Sequence, residues 1–461
     1  APVVVPAPSL DWAAVPPLSS GPVTVRPMAT EKSVVKYTLD GSDPGTGKAV
    51  PSSGIVVDHS ARLRVWAALP GGPPTVKEVA VTVGEVWVGP GGTGPGSWDS
   101  PAGSLADGVD KAKAAGVSRI RILAGTLPTQ ATLAGTWTLS GGWKAPGEVA
   151  GAPSVLGGIK QSGSTQKNPV SVIKVDDGAT VQLENLEIRA PASSFAAAVS
   201  AGQGSTLTVV ASRLVGGAGL YGYGLRAAGA KLVSVEDSTL SGGDGGSSFG
   251  LSADNSTVRA VRTRFDAGTG NAVSYGLSLT QSKGDLSSCV VYGGSANSSY
   301  AVGLYSSQGS RFVGSTILGG SGSSSWAFYL DSSDPEIIGC LIGATGKAKS
   351  YGVYANYGKS LPKTLRSNAF FDAATGFLSG PDLGKVTQTL DPSGAFTDAS
   401  GTPFPGQSHN VLAKPALGPA PDWKTLPTSP EAILTGGEAY GGAADLGVAK
   451  GPRTGKSIGA W

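Results

Sequence analysis

The chain has 461 residues, of which 71 are glycine and 32 are proline, and charged residues make up 15%. A glycine share of about twice the usual value, together with 40% hydrophobic residues, argues against a helical bundle and a doubly wound α/β enzyme, and favours many short segments separated by turns. The 35 basic and 32 acidic residues nearly balance and form no basic block, so we expect no nucleic-acid partner.

We expect a secreted or cell-surface protein. No apolar run approaches the roughly 18 residues of a membrane span. The chain begins at Ala1 without an apolar signal segment, which predicts a mature form whose export signal has been removed. The two histidines, His59 and His409, lie far apart in sequence, which argues against a His-based zinc site or a Ser-His-Asp triad.

Residues 1–20 predict an extended, proline-rich arm. Its short β-branched run suits it to pairing with an exposed sheet edge, including that of a neighbouring subunit. We expect the arm to be the free extended segment of the chain, so that its deletion leaves a folded protein.

Residues 21–84 predict a small antiparallel β-sandwich, because apolar and polar residues alternate in short runs that turn signals separate. The run "YTLDGSDP" at 37–44, followed by "GIVV" and "LRVWAA", resembles the Ig-like module found at the C-termini of chitobiases and hexosaminidases. In that family the module is an accessory without a catalytic role. We interpret its two aspartates, Asp40 and Asp43, as turn residues.

The pattern changes at Glu85, and residues 85–150 predict an N-terminal cap and the first coils of a solenoid. The spacing predicts one helix from about Ser104 to Ala115, with Ser104 as its N-cap. The glycine-rich loop before it lacks the Gly-Lys-Ser/Thr ending of a phosphate-binding loop.

Residues 151–378 carry a repeat of about 26 residues that predicts regular stacked coils. One line of apolar residues with this period is Leu225, Leu251, Leu277, Leu304, Leu330 and Val353. A second line is Ile188, Leu214, Leu240, Phe265, Val291, Ile317, Ile342 and Phe370. A unit this short cannot bury its own apolar face, so the units must stack in parallel.

Period-two geometry then assigns faces to the side chains. The aromatic residues two before the leucines share their side, so we expect them to stack inside the coil, with the glycines between them facing out. These aromatic residues are Tyr223, Phe249, Tyr275, Phe328 and Tyr351. A second interior ladder of small, mostly polar residues is expected at Leu186, Ser212, Ser238, Thr263, Cys289, Ser315, Cys340 and Asn368.

Residues 86–461 resemble the right-handed parallel β-helix of the pectate lyase superfamily, especially its bacterial exported repeat proteins. The resemblance rests on "VWVGPGGTGPGSWDSPAGSL", on "TLSGGW" at 138–143, and on the tail segments "LPTSPEAILTGG" and "DLGVAKGPRTGKSIGAW". It implies an all-β fold in which residues 379–461 cap the last coil. It does not choose a function, because such repeats accompany lyases, hydrolases, adhesins and structural proteins alike.

Polysaccharide lyases of this superfamily use clustered carboxylates to hold calcium and an arginine or lysine as base. The resemblance therefore implies a candidate site with a base at Arg213 or Arg264 and carboxylates at Asp237, Asp266 and Glu187. The alternative is a set of ion-pair ladders on a solvated face, in which Glu187 pairs with Arg213 and Asp237 with Arg262. We favour the ladders, because no three acidic residues converge.

Two further acidic groups have a structural and a functional interpretation. Asp176, Asp177 and Glu184 supply hard oxygen ligands for calcium, or belong to a turn between strands. The segment "DSSDPE" at 331–336 offers carboxylates for glycoside hydrolysis, although its proline marks a turn.

Three aromatic residues are candidates for stacking on sugar rings. Tyr305 and Tyr354 are expected to point outward, and Trp326 is expected in a loop. The alternative is scattered surface aromatic residues without a function.

The two cysteines, Cys289 and Cys340, are expected to remain unlinked. Ser315 lies between them on the same interior ladder, so their Cα atoms should be two coil steps, roughly 9.6 Å, apart. A disulfide does not span more than about 7 Å between Cα atoms.

The leading hypothesis is an exported, non-catalytic structural or adhesive protein of the cell surface or extracellular space that self-assembles. The candidate partners are a polysaccharide or other copies of the chain itself. The alternatives are a calcium-dependent polysaccharide lyase or glycosidase, and a carbohydrate-binding protein. No cofactor other than calcium is suggested.

Overall fold

A computed structural model describes residues 5–159, 164–166, 168–357, 360–381, 383 and 386–413. The chain divides into two compact units, one formed by residues 1–129 and 136–155, the other by residues 130–135 and 156–461. The regular secondary structure of the described residues is almost entirely β-strand, which confirms the predicted all-β class.

The first unit contains an α-helix at Leu105–Ala115 and a short 3₁₀ helix at Pro44–Thr46. Its strands are Leu10–Asp11, Leu18–Ser19, Val23–Val25, Met28–Ala29, Val34–Thr38, Lys48–Ala49, Ile55–Val57, Ala61–Ala68, Thr75–Val83, Val86–Val88, Arg119–Leu123, Gly125–Pro128, Thr136–Ala145 and Glu148–Val149. The strand Ser154–Gly157 spans the boundary between the units, because its first two residues belong to the first unit and its last two to the second.

Residues 21–84 form an antiparallel module with its own apolar core. A five-stranded and a two-stranded sheet enclose the fully buried side chains of Ile55, Leu63 and Val81. The side chain of Asp40 accepts a hydrogen bond from the Ser42 backbone N–H. Asp43 caps the 3₁₀ helix, so both aspartates act as turn residues, as predicted. The kinship with Ig-like modules stays a prediction.

The expectation of a free arm is wrong for its described residues. Leu10–Asp11 pairs antiparallel with Met28–Ala29, and Leu18–Ser19 pairs with the last strand of the module. The Leu10 side chain is buried in the module core. The physical reason is that this segment covers a sheet edge of its own module that would otherwise be left unpaired.

The predicted helix is confirmed with its cap. The Ser104 side chain accepts a hydrogen bond from the Asp107 backbone N–H, and Gly116 ends the helix in the left-handed conformation. The buried face consists of Leu105, Val109 and Ala112, together with Gly108. This face packs on the parallel strands Val86–Val88 and Arg119–Leu123 of the same unit.

The second unit is a parallel β-helix in which each coil contributes one strand to each of three sheets. Sheet A contains Thr180–Glu184, Thr206–Val210, Leu232–Glu236, Thr257–Val261, Lys283–Ser287, Arg311–Val313, Glu336–Ile338, Thr364–Arg366 and Gln407–Ser408. Sheet B contains Leu186–Arg189, Arg213–Val215, Thr239–Ser241, Arg264–Asp266, Val290–Tyr292, Thr316–Leu318, Leu341–Gly343, Ala369–Phe371 and Val411–Leu412. Sheet C contains Ala131–Leu133, Val170–Val175, Phe195–Ala201, Tyr221–Ala228, Ser247–Asp254, Val273–Thr280, Ser298–Tyr305, Ser324–Asp331, Lys349–Ala355 and Gly376–Ser379.

The turn from sheet A to sheet B uses a residue in the left-handed conformation. Asn185, Ala211, Asp237 and Arg262 occupy this position in successive coils, with φ between 48° and 51°. The apolar line from Ile188 to Phe370 in sheet B pairs residue by residue as predicted.

The predicted polar ladder inside the coil is confirmed, since all its members are buried. The serine hydroxyl groups of this ladder accept hydrogen bonds from the backbone of the preceding coil. Ser238 Oγ, for example, accepts one from the Ser212 backbone N–H at 3.0 Å. Because these contacts satisfy buried backbone donors, the small polar residues stabilise the stack rather than weaken it. A second ladder of the same kind was not predicted from the sequence and consists of Ser256, Ser282, Ser307 and Ser333.

The predicted interior aromatic stack is right in part. Tyr223, Phe249 and Tyr275 stack in succession, and Tyr223 and Phe249 are buried, but their cluster does not include the leucine line and Phe328 is not a member of the stack. Tyr275 pairs with Tyr300, not with a residue of the leucine line, and Leu277 pairs with Val302, not with Leu304. The period-two alternation breaks at the small residue between aromatic and leucine. In the strands from Val273 onward, this small residue and the leucine-line residue after it are both buried, whereas the aromatic side chain before them is partly exposed. Phe328 therefore belongs to the fully buried leucine line.

The intervening glycines do not face out either. A Cβ atom on Gly250 would lie 2.5 Å from the Gly276 carbonyl oxygen and 3.0 Å from that of Asp266. These positions therefore take only the smallest residues because packed backbone fills the space.

Neither cysteine is in a disulfide and both are buried, as predicted. Burial raises the pKa of the Cys289 thiol to about 12. We therefore expect iodoacetamide to modify neither Cys289 nor Cys340 in the folded protein and both after denaturation. Mass spectrometry of the unreduced protein checks this, and a Cys289–Cys340 bridge would contradict the coil register.

The described part of the C-terminal region continues the last coils. Thr387–Leu390 and Phe396–Thr397 form an antiparallel pair, and the buried Phe396 ring meets Phe370 edge-on at 5.3 Å. The tail segments at 426–437 and 445–461 lie outside the described residues. The predicted boundaries at 84/85, 150/151 and 378/379 stay predictions.

Candidate functional site: an aromatic face on sheet C

The outer side of sheet C carries a ladder of aromatic rings, one in each successive coil. Its members are Tyr223, Phe249, Tyr275, Tyr300, Trp326 and Tyr351. Neighbouring ring centroids are 4.4 to 6.1 Å apart and nearly parallel. Phe195 and Tyr221 stack at 5.1 Å beside its first coil. The four rings from Tyr275 onward are partly exposed, whereas the serines one position before them are buried.

A second row of tyrosines crosses the ladder. The Tyr329 ring stands at 90° to Trp326 and at 87° to Tyr300. Tyr354 lies 5.7 Å from Tyr329 and nearly parallel to it. Phe249, Tyr275, Tyr300 and Trp326 each lie between two nearly parallel ladder rings, whereas Tyr329 and Tyr354 are nearly parallel only to each other among the described residues, so the crossing rings are the better placed to offer a face to a ligand.

Tyr305 ties the crossing row to the ladder. Its hydroxyl oxygen lies 2.7 Å from that of Tyr275, and its ring is 5.7 Å from Tyr329. We call the ladder from Tyr275 to Tyr351, together with Tyr305, Tyr329 and Tyr354, the aromatic face.

The structure brings all three sequence candidates for sugar stacking onto this face. Trp326 corrects the expectation of a loop, because it lies in the strand Ser324–Asp331 and stacks on Tyr300 at 4.4 Å. The sequence interpretation missed Tyr300 and Tyr329. Tyr300 lies 25 residues after Tyr275, but it is followed by Ala-Val rather than Gly-Leu, so a constant Tyr-Gly-Leu pattern does not identify it.

Burial makes the phenols of the aromatic face weak acids. It raises the pKa of Tyr275, Tyr300 and Tyr305 well above the usual value, and that of the neighbouring Tyr223 to about 12. These hydroxyl groups therefore stay protonated near neutral pH and can donate hydrogen bonds.

The raised phenol pKa values predict alkaline unfolding. Above pH 10.0, the ordinary tyrosine pKa, the unfolded chain loses protons that the folded chain keeps. Stability should therefore fall as pH rises from about 10 towards 12. We expect tyrosinate absorbance and loss of far-UV circular dichroism to appear together. Full tyrosine ionisation at pH 10 with the circular dichroism unchanged would contradict the burial of these rings.

The charged rows form ion pairs. Arg213 Nη1 lies 3.2 Å from Glu187 Oε1, and Arg262 Nε lies 2.7 Å from Asp237 Oδ1, the two pairings expected for the ladders. Arg264 Nη2 lies 2.5 Å from Asp266 Oδ2. These contacts place each candidate lyase base, Arg213 or Arg264, in an ion pair with a carboxylate.

The structure does not assemble the proposed calcium cluster. Among the described residues, no three acidic, histidine or cysteine side chains form a group able to hold a metal ion, and this includes Asp176, Asp177 and Glu184. Asp177 instead accepts a hydrogen bond from the Gln203 backbone N–H at 2.8 Å, as a turn residue does. Dependence on calcium stays a prediction.

The acidic residues at 331–336 have structural contacts. Asp334 accepts a hydrogen bond from the Gly309 backbone N–H at 3.1 Å. Glu336 lies 3.7 Å from Arg311 and 3.8 Å from Lys363. These contacts describe a turn and an ion pair rather than two opposed carboxylates.

No protein-family model matches the chain, and no curated protein matches it. Among solved structures it is similar to the enzymatically active domain of tailspike protein 2 of bacteriophage CBA120, with 12% identity and a TM-score of 0.42 over 87% of this chain and 54% of that one. It is also similar to pectin methylesterase PemA of Erwinia chrysanthemi, with 11% identity and a TM-score of 0.28 over 72% and 90% of the two chains. The chain spans about half the length of the tailspike chains. Similarities this weak say nothing about what this chain binds.

Within the described residues, no helix is long and apolar enough to cross a membrane.

Proposed function

We propose that this protein is an exported, non-catalytic adhesive protein that binds a polysaccharide through the aromatic face. The observation that carries the proposal is the gathering of Trp326 and six tyrosines on the outer side of sheet C.

Sugar rings have apolar faces and polar edges, and this surface offers partners for both. Tyr329 and Tyr354 supply aromatic planes across the ladder. The protonated hydroxyls of Tyr305 and Tyr275 supply hydrogen-bond donors and acceptors beside them. A surface that extends over several coils suits a chain molecule better than a single sugar.

The contacts of the arginines support a role without catalysis. A lyase base must accept a proton, but Arg213 and Arg264 are paired with Glu187 and Asp266. Arg262 lies against Glu236 and Asp237, and these carboxylates raise its pKa further.

Removal of the crossing rings should weaken polysaccharide binding. We expect Tyr329→Ala and Tyr354→Ala each to raise the Kd about tenfold, since an aromatic contact contributes roughly 0.5–1.5 kcal/mol beyond its area. The measurement is depletion of the protein by insoluble polysaccharides or titration calorimetry with soluble ones.

Tyr292→Ala is the matched control. Tyr292 ends the strand Val290–Tyr292 of sheet B and is not a member of the aromatic face, so its replacement should leave the Kd unchanged. Equal losses in all three variants, or no binding of any polysaccharide by the unmodified protein, would overturn the proposal.

A further inference from the structure

A polar groove of about 370 Å³ runs across three consecutive coils where sheet C turns into sheet A. The exposed residues that line it are Asn255, Thr257, Gln281, Lys283, Ser306 and Gln308. Thr257 pairs with Lys283 in neighbouring strands, so equivalent groups recur at about 4.8 Å from coil to coil.

The floor of this groove is fixed by the second serine ladder. The Ser256 backbone N–H donates to Ser282 Oγ at 3.0 Å, and the Ser282 N–H donates to Ser307 Oγ at 3.1 Å. Within the described part of the chain, the side-chain amides of Asn255 and Gln281 make no hydrogen bond to protein. A rigid floor thus presents amides that both donate and accept hydrogen bonds.

The backbone holds these side chains at some conformational cost. Asn255, Gln281 and Ser306 have φ of 46°, 48° and 50°, in the left-handed region. Gly229 takes the same position in the coil before, with φ of 72°. Glycine adopts this conformation with less strain, so the fold does not require a side chain at these positions. A polar side chain nevertheless stands at this position in all three coils of the groove.

The charges around the groove do not suit a polyanion. Lys283 is its sole charged lining residue. Asp331 pairs across sheet C with Tyr305 and places a carboxylate beside the groove, whereas the carboxylate of Asp254 is paired with Arg226. Asp331 offsets the lysine, so the groove has no excess of positive charge for a ligand that carries a carboxylate or sulfate on each residue.

The groove continues from the aromatic face. Tyr305 directly precedes Ser306, and its hydroxyl meets that of Tyr275 on the ladder. We propose that the groove binds three consecutive residues of an uncharged, hydroxyl-rich polysaccharide, one residue per coil along the stack. This inference rests on the proposed function and names its ligand class.

The test is Gln281→Gly combined with Asn255→Gly. Glycine relieves the left-handed backbone while it removes both amides, so the melting temperature should not fall. Affinity for a soluble neutral β-glucan should fall at least tenfold. Binding by the unmodified protein should be insensitive to sodium chloride up to about 0.5 M, because no ion pair holds the ligand.

Ala211→Gly is the matched control, since Ala211 has φ of 48° at the other turn of the coil. It should keep the melting temperature and the affinity. Undiminished β-glucan binding by the double variant would overturn the groove proposal, as would tighter, salt-sensitive binding of polygalacturonate. If Tyr354→Ala still weakens binding in that case, the aromatic face stands and the groove alone is wrong. If the unmodified protein binds no polysaccharide, both fail.

Discussion

Deletion of residues 1–20 is expected to unfold the antiparallel module at residues 21–84. The deletion removes the Leu10 side chain from the core and exposes the strand edge at Thr82 and Val83 that Leu18–Ser19 covers. Loss of a buried leucine alone costs about 2–5 kcal/mol. A module of this size has little more stability than that.

Thermal unfolding and hydrogen exchange would measure this effect. The strand Ile55–Val57 should lose its protection in the deletion variant, while sheet C keeps its own. Asp11→Asn is the control, because the exposed contact of Asp11 with Lys77 contributes little. Unchanged protection of Ile55–Val57 would show that the arm only rests on the module.

The sequence predicted the structure correctly where the signal comes from residues that lie close together in the chain. Ser104 and the apolar spacing after it specified the helix and its cap. The line from Ile188 to Phe370 specified the coil period, because each strand of sheet B is short and keeps its alternation.

The aromatic residues could not be placed from the sequence because their strand bends. In the strand Ser298–Tyr305, Tyr300 is partly exposed between two buried residues, but Ala301 and Val302 after it are both buried, so the period-two rule fails at Ala301. A small residue in a strand permits such a bend, and from Tyr275 onward the ladder rings are partly exposed rather than in the interior.

The sequence therefore predicted which kind of residue could bind sugar, but not where those residues lie relative to one another. Tyr305, Tyr354 and Trp326 were candidates as scattered aromatic residues. Their grouping depends on coil steps that change between 25 and 26 residues, and a single missed residue moves a strand by one face. The arm was misplaced for another reason: a sequence does not say which of several sheet edges a short apolar segment will cover.

The end of the interior ladder should be its most sensitive point. Asn368 is fully buried, and its Oδ1 accepts a hydrogen bond from the Cys340 backbone N–H at 2.9 Å. Its Nδ2 donates to the Ile337 carbonyl and to Asn410 Oδ1, both at 3.0 Å. Asn368→Ala removes the acceptor of the Cys340 backbone N–H and the donor to the Ile337 carbonyl, and it opens a cavity, so we expect a loss of about 3–5 kcal/mol in the free energy of unfolding.

Asn368→Ser separates the hydrogen bond from the packing. Two coils earlier Ser315 occupies the same line, and its Oγ accepts from the Cys289 backbone N–H at 3.1 Å. A serine at 368 can make the equivalent contact with Cys340, so it should retain about half of the stability that alanine loses. Urea unfolding of the three proteins measures the difference. Equal losses in the serine and alanine variants would show that the side chain stabilises the coil by filling space, and that the backbone contact contributes nothing.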